Sequence, residues 1–297
     1  MRGSGGTVGL REVAALTVVV TDASSGLPVG LREKWSIQQV PLHILLDDLD
    51  LRDGVDEIPA DIHRRPATTA AATPAELGAA YRQALADSGG EGVVAVHISS
   101  GLSGTYRAAE LAAAEIGPTV RVVDSRSAAM GTGFVALAAA RAAAAGADVE
   151  TVARAARAVV PRVHSFIVVH RLDNLRRSGR IGGAKAWLGT ALALKPLLRV
   201  DAGKLVLAQR VRTVSNAMAA MIDRVCDVVG DGRAALAVHH VANPGDAHDV
   251  VSTLAQRLPR CEPAMVAPMG PVLALHVGAK AIAVCVELDG DGRQLRE

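Results

Sequence analysis

Short apolar runs rich in Val and Ile alternate along this chain with longer stretches in which Ala and Leu recur at helical spacing. A β-branched run bounded by polar turns marks a buried strand, and an apolar period of three to four residues marks a helix. In the first half this predicts strands at 16–20, 37–46, 93–98 and 120–123. Helices are predicted at 73–86, from about 106 onward, and at 127–145. Thr73, Pro74 and Glu76 make a complete helix start: an N-cap hydroxyl, a proline in the first turn and the third residue of a capping box. The acidic segment 47–54 reads as a solvated loop, because it lacks the spacing and distant Glu of a calcium loop.

The second half opens with a helix at 150–160 and a strand at 166–169. A short helix with a basic end follows at 172–180, then a helix at 184–194 that stops ahead of Pro196. Segments 196–200 and 204–212 form a hairpin around Asp201-Ala202-Gly203, with Gly203 left-handed. Beyond it lie a helix at 215–229, a strand at 235–239, a helix at 246–258, a short helix at 270–278 and a last strand at 281–286. The 297 residues suit about two domains of roughly 150 residues each, divided here as 1–148 and 149–297. Strand and helix alternate through the first, which predicts βαβ units and a parallel sheet.

Three predicted strands end in Thr21-Asp22, Ser99-Ser100 and Asp124-Ser125. Ligands of open parallel sheets bind at the carboxyl ends of the strands, so hydroxyls and carboxylates gather where a ligand is expected. The handover from strand to helix through Ser99-Ser100-Gly101-Leu102-Ser103-Gly104-Thr105 exposes backbone N–H groups that suit an anion. The same serines also serve as helix caps, and both uses stay open at this point.

Composition narrows the chemistry. A formal net charge of +2 with 2% aromatic residues gives no footing for nucleic acid or an anionic lipid surface. It also means that a cavity must be walled by aliphatic side chains. Cys226, Cys261 and Cys285 are far apart and form no CxxC pair, so neither a disulfide framework nor a zinc site is indicated. His239, His240 and His248 lack the carboxylate-rich frame of a metal site. A serine-dependent acyl hydrolase is the alternative enzyme reading. It needs G-x-S-x-G, whereas Gly101-Leu102-Ser103-Gly104 places the second glycine one residue early. A Walker loop lacks its Gly-Lys-Ser/Thr. The Ala-rich stretch 134–145 is too short to span a bilayer, and a soluble, cytoplasmic setting is expected.

The order of motifs is similar to that of the DegV family of bacterial fatty-acid-binding proteins, the FakB type in particular. The motifs are Thr21-Asp22, Thr69, Ser99 to Tyr106, Asp124-Ser125, Leu172-x-x-Leu-x-x-Ser-Gly-Arg180-Ile, Lys195-Pro-Leu-Leu, Val211-Arg-Thr and Gly270-Pro-Val with His276 beyond. The resemblance implies a Rossmann-like parallel-sheet domain, a second two-layer α/β domain with a mixed sheet, and a long-chain fatty acid buried between them. It implies that Thr69 (with Thr68 as the neighbouring register), Ser100, with Ser99 beside it, and His276 hold the carboxyl group, with Arg180 near the head. It further implies a non-enzymatic subunit without a cofactor of its own. Such a subunit presents its ligand to an ATP-dependent fatty acid kinase for acyl-phosphate formation, and Arg212 and Arg210 would dock that partner.

Overall fold

The computed structural model describes residues 16–181 and 195–290. Four parallel strands form the sheet of the first half: β1 (Val18–Asp22), β2 (Gln38–Val40), β6 (Val93–His97) and β7 (Val120–Asp124), in the order β2-β1-β6-β7. Side chains alternate across a strand. Val93 and Ala95 therefore pack on α2 (Pro74–Asp87) and α3 (Thr105–Ile116), while Val94 and Val96 pack on α4 (Met130–Ala144) and α5 (Val149–Val159). Both faces being covered explains why β6 is a continuous apolar run. The predicted capping box is present, with Thr73 accepting from the Glu76 N–H and the Glu76 carboxylate accepting from the Thr73 N–H.

The extended run 37–46 divides between two sheets. Gln38–Val40 joins the parallel sheet, whereas β3 (His43–Leu46) pairs antiparallel with β4 (Leu49–Arg52) and β5 (Thr68–Ala70). The acidic segment expected as a loop is thus largely a strand, turned tightly at Asp47, where φ is 52°. On this edge strand Asp50 and Arg52 are exposed, so their charges do not oppose pairing, while Asp53 just beyond it is buried. A short helix, α1 (Val29–Lys34), links β1 to β2.

A six-stranded sheet carries the second half. It contains β8 (Val163–Val168), β9 (Lys195–Asp201), β10 (Lys204–Val211), β11 (Ala234–His240), β12 (Met265–Pro268) and β13 (Ile282–Leu288). The order is β10-β9-β8-β13-β11-β12; β11 and β12 are parallel and the other neighbours antiparallel, which makes the sheet mixed. Helices α7 (Val214–Val229) and α8 (Pro244–Arg257) cover one face through Met221, Val225, Val250 and Leu254. The other face turns toward the first half, with α6 (Asp173–Arg177) and α9 (Pro271–Val277) along its rim.

Two further sequence readings change. The strand β12 was absent from the predicted elements; it is a short run closed by Pro268 at the sheet edge. Helix α5 packs on β6 and β7 among the layers of the first sheet. Finally, β10 ends at Val211, so Arg212 lies beyond the strand and does not share a strand face with Arg210. The helix predicted at 184–194 falls outside the described residues. Helix α4 is buried almost all round because it is sandwiched between the two sheets, touching β6 on one side and β8 and β13 on the other. Its many alanines allow that close approach.

Candidate functional site

The inward face of the mixed sheet does not close fully against the first half. Between them lies a cavity that opens to solvent at a mouth. Its walls are aliphatic for most of their length: Leu42 and Ile98 from the first half, and Ile167, Leu205, Leu273 and Ala283 from the second. The lining residues grade from exposed to buried. Ala70, Gly104 and Arg180 are exposed and mark the mouth, whereas Ser165 and Cys285 are buried and lie two residues beyond Ile167 and Ala283 along β8 and β13, away from α6 and α9, at the closed end.

At the mouth, the Thr69 hydroxyl and His276 Nε2 are hydrogen-bonded at 2.9 Å across 207 residues of sequence. Strand pairing opposite Ile44 turns Thr69 toward the cavity, and α9 delivers His276 from its last turn. Burial, and after it the positive charge of Arg180, push the His276 imidazole down to about 4. It is therefore neutral near pH 7 and carries one N–H donor and one acceptor nitrogen. Ser103 and Gly104 face the same mouth at the start of α3, and Ser103 Oγ accepts from the Thr105 N–H.

Other predicted site residues go elsewhere. Thr68 is exposed, pairs with Leu45 and does not line the cavity, whereas Thr69 does. Ser100 is exposed and does not line the cavity; its hydroxyl donates to Asp124 Oδ2 at 2.6 Å. The cavity-facing hydroxyl of that turn belongs to Ser103. Ser99 is buried and donates to the Gly203 carbonyl at 2.7 Å, tying the first half to the β9–β10 hairpin. Arg180 lines the mouth, while Arg210 and Arg212 are exposed and outside the lining. Ser100 and Ser103 bond Asp124 and Thr105 respectively, so each hydroxyl has a partner other than an imidazole.

Behind the mouth lies a buried network that the sequence reading missed. His97 Nδ1 meets Asp22 Oδ2 at 2.9 Å, and His97 Nε2 meets the Tyr81 hydroxyl at 2.6 Å. Burial alone would raise the Asp22 carboxyl. The His97 imidazole, the Ser24 hydroxyl and the Ile98 N–H outweigh it and hold the carboxyl below its ordinary value. Register explains the meeting: Thr21 lies opposite Val96, so the next residues, Asp22 and His97, emerge side by side. The Ile98 N–H donating to Asp22 at 2.9 Å fixes the loop that lines the cavity. Among the described residues no group of three or more His, Cys, Asp or Glu side chains is placed to hold a metal ion, and no helix is long and apolar enough to cross a membrane.

Fold and site together define an α/β protein with a parallel sheet and a mixed sheet, built around an aliphatic cavity with a small polar mouth. The family model described as "uncharacterised protein, DegV family" matches residues 17–289. A DegV domain-containing protein of Mycobacterium tuberculosis is 76% identical over 271 residues, covering 91% of this chain and 97% of that protein. The chain belongs to the DegV family. Among solved structures, a DegV family protein from Corynebacterium glutamicum superimposes with a TM-score of 0.83 at 30% identity, over 94% of this chain and 100% of that one. A DegV family protein from Thermus thermophilus, described by its fatty acid binding, gives 0.83 at 31% identity over 92% and 99%.

Proposed function

We propose that this protein binds a long-chain fatty acid in the cavity, with the carboxyl group at the mouth and the chain running toward Phe166. The observation that carries this reading is the Thr69–His276 pair at the open end of an otherwise aliphatic cavity. Each buried methylene is worth about 0.8 kcal/mol, so fifteen or so supply roughly ten kcal/mol before ordering costs. A carboxylate cannot enter an aliphatic wall unpaired. Thr69, the His276 N–H, Ser103 and the start of α3 offer it donors, and Arg180 offers it charge. Ser103 takes the part expected of Ser100. The fatty acid binding described for the Thermus relative supports the same ligand class.

The carboxyl group at the mouth remains within reach of a second protein. The reading therefore includes presentation to an ATP-dependent fatty acid kinase, which forms the acyl phosphate, with Arg212 and Arg210 in the docking surface. The cytoplasm, where ATP is available, is the setting this requires.

Native mass spectrometry of gently purified protein tests the first part. A co-purifying fatty acid, lost in a Thr69→Val/His276→Leu double variant, is the expected result. An empty cavity that also fails to take up added palmitate overturns it. Ester turnover abolished by Ser103→Ala or Ser100→Ala would instead establish the acyl hydrolase. For the partner, Arg212→Ala is expected to retain ligand yet lose acyl-phosphate formation with the host's kinase; unchanged formation refutes docking through Arg212.

A further inference from the structure

The closed end of the cavity is not the plain apolar floor that a terminal methyl group would select. Ser165 and Cys285 face one another across the β8–β13 pair and both line the cavity. Ser165 is 8% exposed and Cys285 1%. The Ser165 hydroxyl donates to Cys285 Sγ at 3.5 Å, and Ser127 Oγ lies 3.1 Å from Ser165 Oγ. Three small polar groups thus meet where the aliphatic walls end.

The space around them is kept open. A Cβ on Gly131, in the first turn of α4, would run into the Ser127 hydroxyl and lie 2.9 Å from Ser165 Oγ. The loop before α4 carries Ala129 at φ 51°, a left-handed conformation that strains a non-glycine residue. Glycine at 131 and the strained alanine at 129 together let the hydroxyls approach the end of the cavity.

The chemistry of the cluster says what would complete it. A thiol sulfur is a weak acceptor, so the Ser165 proton is spent on a poor partner at sulfur distance. A ligand oxygen is a better acceptor for that proton, and where the ligand oxygen is a hydroxyl, the Ser127 hydroxyl oxygen beside Ser165 can accept the ligand's own proton. This rests on the acyl-binding reading above, since it concerns the far end of the same ligand. We infer that the cavity is built for an acyl chain bearing a hydroxyl or keto oxygen remote from its carboxyl group, received by Ser165 with Ser127 and Cys285 behind it.

The test compares palmitate with ω-hydroxypalmitate and its mid-chain hydroxylated and keto isomers, by displacement of a bound fluorescent fatty acid. At least one oxygenated chain is expected to bind roughly fivefold more tightly than palmitate, the worth of one net neutral hydrogen bond. Ser165→Ala should bring that ratio to parity while palmitate binding persists, which also reports that the variant is folded. Cys285→Ala frees the Ser165 proton and should widen the ratio. Palmitate binding as tightly as every oxygenated chain overturns the inference and leaves the acyl reading standing. A ratio that is unchanged in both variants also overturns it. Failure of every chain to bind overturns the acyl reading and the inference with it.

Discussion

Replacing Gly101 with alanine is expected to loosen the seam between the two halves. A Cβ at this position would lie 2.5 Å from the Gly203 carbonyl oxygen and 3.1 Å from Lys204 Cγ. The first of these is backbone, at the tip of the β9–β10 hairpin, so it yields only if the hairpin moves. That hairpin is held by the Ser99 hydroxyl on the same carbonyl, and its Val200 and Leu205 wall the cavity. Overpacking of this kind costs about 1–3 kcal/mol. Losing the Ser99 bond adds about 1 kcal/mol. The sum, about 2–4 kcal/mol, should appear as a lower urea midpoint and as faster release of bound fatty acid. Gly30→Ala is the control, because nothing lies within 4 Å of a Cβ there. On an exposed helix the exchange changes stability by less than about 1 kcal/mol, in the favourable direction. If Gly101→Ala unfolds and releases ligand like Gly30→Ala, the hairpin is not clamped at this contact and the reasoning fails.

Two other buried groups give predictions of stability. Burial pushes the Asp53 carboxyl from 3.8 to about 6, against the Val272 N–H that it accepts and with the charge of Asp22 adding to the rise. Between those values the native state holds the proton more tightly than the unfolded chain, so stability should fall as pH rises from about 4 to about 6 and level off above. The full effect is about 3 kcal/mol. Asp53→Asn should flatten that part of the curve in thermal melts across the same range; an unaltered slope would assign it to other groups. Tyr81→Phe removes the partner of His97 Nε2 at a site with no access to water, and an unfolding free energy lower by about 1–3 kcal/mol is expected. Equal stability would mean that His97 finds another partner.

Most of what the chain does locally is written in local chemistry. The Thr73–Glu76 capping box, the β-branched run of β6 and the Asp201-Ala202-Gly203 turn each depend on neighbours a few residues apart, and each forms where the pattern places it. The turn closes with Ala202 and Gly203 both at positive φ, as a two-residue hairpin loop requires. The parallel first sheet follows from the alternation of such units, and the mixed second sheet was implied by the motif order.

Tertiary structure decided which atoms face the cavity. Ser99, Ser100 and Ser103 are equivalent as sequence, all hydroxyls at one strand end. They part only because Gly203 comes within reach of the first and Asp124 of the second, which leaves the third at the mouth. Thr68 and Thr69 differ by one residue, and in a strand one residue is the opposite face. The choice falls to the pairing of β5 with β3. Asp22 with His97, and Ser165 with Cys285, join residues that local pattern cannot associate, because strand register brings them side by side or opposite, and Tyr81 reaches His97 from helix α2. Hydrophobic periodicity reports which face of an element is buried. It carries no record of which distant element does the burying, and at this cavity that is where the polar contacts come from.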